Sequence, residues 1–206
     1  MRGARALATL TLPLLLAAAG PLRAECECLW QGSFTDVQAD TDLVVSATVI
    51  TQKGNSIDLQ VDQLLRGNEP PLPPRVWLKT ADYCRPEVET FPVGSAWVMA
   101  LYRIEEQVPG GFNPATPNIS YGRVGDYQLS SCGGYWLQRR GAAVSGNLVD
   151  APRWDMNPKM NPVLLELVTG FVRGEVSAET LLKASEEDPE LKKLRLDTKA
   201  FLRNGD

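Results

Sequence analysis

The chain has 206 residues, with 21 basic and 25 acidic side chains, four cysteines and no histidine. The missing histidine removes the usual general base, the Ser-His and Cys-His nucleophile pairs and the commonest catalytic zinc ligand, so no catalytic residue, metal ligand or cofactor is expected. A net charge of −4 argues against a nucleic-acid partner, whose phosphates demand clustered positive charge.

Arg2 and Arg5, the apolar run over residues 10–19 and the small residue at the end of Leu22-Arg23-Ala24 read as a secretory leader covering residues 1–24. The run is shorter than the roughly 20 apolar residues a spanning helix needs, and no later stretch approaches that length. The expected product is secreted or periplasmic, without a membrane span. Losing Arg2, Arg5 and Arg23 with the leader leaves 18 basic residues against the 25 acidic ones, a net charge of −7.

Residues 25–150 read as one β domain. Leu43, Val45, Ala47 and Val49 alternate with less apolar neighbours, as do Ile57, Leu59 and Val61, and a period of two is that of a strand with one buried face. Gly54-Asn55 between the two runs is a tight-turn pair, which predicts a hairpin. Further strands are predicted at Val76, Leu78 and Thr80, over residues 96–102, over residues 127–130, and as a short sixth at Leu148-Val149. Five or six antiparallel strands in about a hundred residues suit a small closed or partly closed barrel. Four prolines (Pro70, Pro71, Pro73, Pro74) stiffen one connection, and residues 105–122 form a longer one that carries the sequon Asn118-Ile119-Ser120.

The pattern then changes to a helical period, defining a C-terminal region over residues 151–206. Val163, Leu164, Leu167, Val168, Phe171 and Val172 predict a helix stopped by Gly174. A second helix starts at the cap Ser177, and a third at Asp188-Pro189-Glu190, with Leu191, Leu194, Thr198, Phe201 and Leu202 as its apolar stripe. These helices are expected to pack on the barrel as a lid, giving an all-β fold with appended helices.

Cys26, Cys28, Cys84 and Cys132 are an even set in a chain read as exported, where disulfides are the default. Cys26 and Cys28 lie two apart on an extended segment, a poor geometry for bonding each other, so each is expected to reach for one of the other two. The competing use, four thiolates around a metal, is disfavoured because zinc spacings prefer Cys-x-x-Cys.

Read together, Cys26-Glu27-Cys28, Asp42-Leu43-Val44-Val45, Leu64-Leu65-Arg66-Gly67, Cys84, Gly94-Ser95-Ala96-Trp97-Val98 and Tyr127-Gln128-Leu129-Ser130-Ser131-Cys132 resemble, in their order, the netrin-like module of the tissue inhibitors of metalloproteinases. The resemblance covers roughly residues 25–149 and implies an OB-type barrel in which Cys26 bonds Cys84 and Cys28 bonds Cys132. It also implies a protein partner met by the edge Cys26, Glu27, Cys28, Leu29 and Trp30. In the inhibitors the first cysteine is the mature N-terminus, and its amine and carbonyl chelate the protease zinc. Here Glu25 stands in front of Cys26, and Glu27 would bring a charge into a specificity pocket that favours small or apolar side chains, at a desolvation cost. The primary expectation is therefore a protein-binding module that is not an enzyme. Inhibition of a zinc metalloprotease is the specific alternative, and a structural envelope or extracellular protein the general one.

Overall fold

The computed structural model describes residues 26–80, 83–106, 120–151, 160–186 and 189–204. The segment expected to be a leader, Glu25, the sequon asparagine Asn118 and the expected helix cap Asp188 lie outside the described residues. A single helical turn, α1 (Phe34–Val37), precedes strand β1 (Leu43–Lys53), which runs through the Gly54-Asn55 turn into β2 (Ser56–Arg66). Gly54 has φ +58°, the left-handed conformation that this turn requires and glycine adopts without steric cost. Strands β3 (Arg75–Trp77), β4 (Ala96–Arg103) and β5 (Tyr127–Gln128) follow, then β6 (Trp136–Arg140), β7 (Ala143–Gly146) and β8 (Val163–Leu164).

Pairing runs β1-β2-β3-β5-β4, and β4 returns to β1, closing a five-stranded barrel of the OB type. Closure requires β1 to bend, and its register with β2 shifts between Val44 and Val45, between Ser46 and Ala47, and between Val49 and Thr51. Such bulges coil a strand so that its two edges can serve different partners. Along the seam Leu43 faces Leu101 and Thr48 faces Ala96. The barrel is filled by Leu43, Val45, Ala47, Ile57, Leu59, Val76, Met99 and Leu101, all at 1% exposure or less. Gly67, at the end of β2, holds φ +99°, and a Cβ there would lie 2.4 Å from the Asp42 carbonyl oxygen. Only glycine lets the chain leave β2 so close to the start of β1.

Three expectations about the sheet need correction. The barrel is not antiparallel throughout: β3 and β5 run parallel, because the chain between them passes through β4 on the opposite course. Leu148-Val149 is not a strand. Leu148 is 1% exposed, but its backbone N–H bonds to the Gly146 carbonyl and its own carbonyl accepts from Thr35, so its apolarity reflects burial beside α1. The further strands are instead the β6–β7 hairpin, extending the sheet from β4, and β8 at its edge. Finally, Val163 and Leu164 pair with β7 rather than opening a helix, and α2 (Leu165–Val172) begins one residue later.

Helix α2 ends at Gly174, φ +77°, and α3 (Ala178–Ser185) is capped by the Ser177 hydroxyl, which accepts from the Thr180 N–H at 3.2 Å. Val168, Val172 and Leu181 from these helices join the barrel core. Helix α4 (Pro189–Asn204) departs from the lid expected of it: Leu194, Phe201 and Leu202 of its apolar stripe are 62%, 75% and 71% exposed. The stripe has the right period, but these three side chains face solvent.

Candidate functional site

Residues 26–33 carry no regular secondary structure, so they are held by contacts from elsewhere in the chain. Two disulfides do most of this. Cys26 is bonded to Cys84, in the loop after β3, and Cys28 to Cys132, just beyond β5, with Cα separations of 5.1 and 5.8 Å. The two receiving loops are themselves joined, the Ser131 N–H donating to the Cys84 carbonyl at 2.9 Å. All four sulfurs lie within 4.8 Å of one another, a spacing a tetrahedral metal would also accept. Here they are spent as disulfides, which leave no thiolate to bind one.

Backbone bonds extend the hold. Gln31 N–H donates to Cys132 O at 2.8 Å and Gly134 N–H to Gly32 O at 2.9 Å, so residues 31–32 run alongside residues 132–134 in the same direction. Phe34 N–H then reaches Asn147 O, and the buried Ser33 hydroxyl accepts from Ala151 N–H at 2.7 Å. Gly134 is what permits this approach, since a Cβ there would sit 2.5 Å from the Asn147 oxygen and 2.7 Å from the Phe34 nitrogen.

Of the five residues expected to meet a partner, Glu27 and Leu29 are exposed, Leu29 at 87%, while Cys26, Cys28 and Trp30 are half-buried. That alternation is the geometry of an extended segment: the bridged cysteines and the tryptophan turn toward the barrel and the residues between them face solvent. The site therefore presents one carboxylate and one apolar side chain on a covalently fixed backbone.

Sequence reasoning missed the group beside it. Arg85, next to the bridged Cys84, is only 4% exposed. Its guanidinium donates to the Tyr121 carbonyl and to Gln128 Oε1, both at 2.6 Å, and stacks 4.7 Å from the Tyr83 ring centre. Burial brings its pKa down to about 10, with the Tyr83 hydroxyl acting in the opposite sense. Nearby, Tyr135 donates to Gln31 Oε1 and shares a 3.0 Å hydroxyl contact with Tyr102, and burial together with that contact pushes the Tyr135 hydroxyl well above its ordinary range. The only sequence signal for Arg85 is its position beside a structural cysteine.

No helix among the described residues is long and apolar enough to cross a membrane. The paired cysteines are the state that an oxidising compartment maintains. Comparison with protein-family models, with curated proteins and with solved structures finds no match to this chain.

Proposed function

We propose that the chain is an exported, netrin-like protein-binding module, and that its partner docks on the edge formed by Glu27, Leu29 and Trp30. The observation that carries this is the contrast at residues 26–30: a backbone tied by two disulfides, yet with Leu29 87% exposed. A terminus already held in one conformation loses little entropy when a partner orders it, so the binding energy of its outward side chains is retained. A chain without histidine, whose site offers one exposed carboxylate and no nucleophile, supports binding over catalysis. The leader-like residues 1–24 and the disulfides support a secreted or periplasmic location.

The test is partner capture from the exporting cell's medium or envelope. Replacing Glu27 and Leu29 with alanine should abolish capture while leaving the melting temperature unchanged, because neither side chain is packed. Undiminished capture by the Glu27, Leu29 and Trp30 variants would remove this edge as the interface.

A second reading rests on the same edge. If processing removes Glu25, the free amine of Cys26 would sit on a fixed, half-buried backbone, a donor suited to the open position of a protease zinc. Intact mass identifies the natural first residue. A form beginning at Cys26 should inhibit zinc proteases in fluorogenic-peptide assays, and one with an extra alanine ahead of Cys26 should not. Full protease activity with both forms would leave the binding module alone standing.

A further inference from the structure

Two charged side chains are buried among the described residues, Asp58 at 9% exposure and Arg85 at 4%. Asp58 is met by Arg75 through a two-point pair, Nε to Oδ1 at 2.7 Å and Nη2 to Oδ2 at 2.9 Å. Among the described residues Arg85 has no such counter-charge. Its partners are a carbonyl and an amide oxygen, and no Asp or Glu among the described residues forms an ion pair with it. A guanidinium has five donor hydrogens. Two are used in these bonds, and the buried Nε meets no acceptor among the described residues. A buried cation compensated only by neutral dipoles is costly, and an anion brought to it regains that cost.

Arg85 also lines a pocket of about 370 Å³, whose wall includes Gln31, Tyr83, Tyr102, Gln128 and Ser130. Cys84 belongs to the same wall, so the pocket adjoins the loop to which the N-terminal edge is bonded. The remaining polar groups of the wall are uncharged hydroxyls and amides. One fork-shaped cation among neutral donors matches the charge and shape of a single carboxylate, whereas a phosphate dianion calls for further cations or a nest of backbone N–H groups.

We infer that this pocket is a carboxylate-binding site in which Arg85 receives the acidic group of a bound molecule. The inference deepens the proposed protein-binding role, because an acidic side chain of a partner seated on the N-terminal edge lies within the reach of the adjoining loop. A free small carboxylate offers the same chemistry, and the two sources separate experimentally.

The disulfide-bonded protein is titrated with sodium acetate at constant ionic strength, with sodium chloride and inorganic phosphate as controls, while the Arg85 guanidinium N–H resonances and the backbone amides of Cys84 and Ser130 are followed by NMR. Saturable shifts with acetate, absent with chloride and weaker with phosphate, are expected. Arg85→Met should abolish them. Arg85→Lys keeps the charge and guards against a misfolded Met variant, and it should weaken acetate about tenfold by turning a fork into a point charge. Non-saturating shifts in the wild-type protein, or tighter binding of phosphate, overturn the site without needing any variant.

N-acetyl-glutamate amide, which presents a glutamyl side chain with no other charge, separates the sources. Tighter binding than acetate identifies a partner's side chain, and equal or weaker binding a free carboxylate. Loss of partner capture on Glu27 and Leu29 substitution but not on Arg85→Met would remove a partner's side chain as the source while preserving the docking edge. The converse result would do the reverse.

Discussion

Residues 26–33 have no regular secondary structure, yet two disulfides and a run of backbone hydrogen bonds fix them to three separate loops. Helix α4 is sixteen residues of regular helix, yet Leu194, Phe201 and Leu202 project into solvent. Local order and tertiary anchorage are thus separate properties in this chain. A helix satisfies its own backbone and can persist at the edge of a fold, whereas an irregular segment must borrow every partner it has.

The comparison is broken most directly at the disulfides. Removing Cys28–Cys132 by paired alanine substitution should cost about 2 to 5 kcal/mol, measured by urea unfolding. The bridges span 104 and 58 residues, and by chain entropy the longer should be worth about 0.5 kcal/mol more than the shorter. A cost below 1 kcal/mol for either would show that the hydrogen bonds alone hold the terminus. Among the helices, Leu181→Ala in α3, at 0% exposure, should cost about 2 to 5 kcal/mol because it opens a cavity in the core. Gly134→Ala should follow at about 1 to 3 kcal/mol, since its methyl would push the Phe34 and Asn147 backbones apart. Ser177→Ala, which uncaps α3, should cost about 1 kcal/mol. Smallest of all, Phe201→Ala or Leu202→Ala should change stability by no more than about 0.5 kcal/mol. A melting-temperature drop for Phe201→Ala comparable to that for Leu181→Ala would mean that α4 is packed in solution.

The same contrast explains what the sequence made legible. Leu43, Val45, Ala47 and Val49 alternate because one face of β1 lines the barrel, and Gly54-Asn55 is the turn chemistry a hairpin needs, so β1 and β2 could be read directly. The β6–β7 hairpin was obscured because Gln138, Arg139 and Arg140 crowd one end of β6 and leave Leu137 as its one fully buried side chain. A two-residue strand such as β8 is too short to carry a period, and Val163 and Leu164 fit a helical stripe equally well until β7 claims them. The parallel β3–β5 pairing depends on the path of about fifty intervening residues, which no local pattern encodes. At the candidate site, the cysteines declared themselves by number and spacing. Arg85 did not, because arginine is ordinarily a surface residue and only the closed fold shows that this one is buried.

The two disulfides have a further consequence for the chain once it meets proteases. Cys28–Cys132 encloses residues 29–131, including the long connection between β4 and β5. A single cut anywhere in that stretch produces two fragments that remain one molecule, with the N-terminal edge still tethered to the loop after β5. Cleavage within the β4–β5 connection would therefore register on a reducing gel while leaving the mass of the unreduced protein almost unchanged, apart from one added water. A single cut in that connection therefore leaves residues 26–33 on both of their covalent anchors.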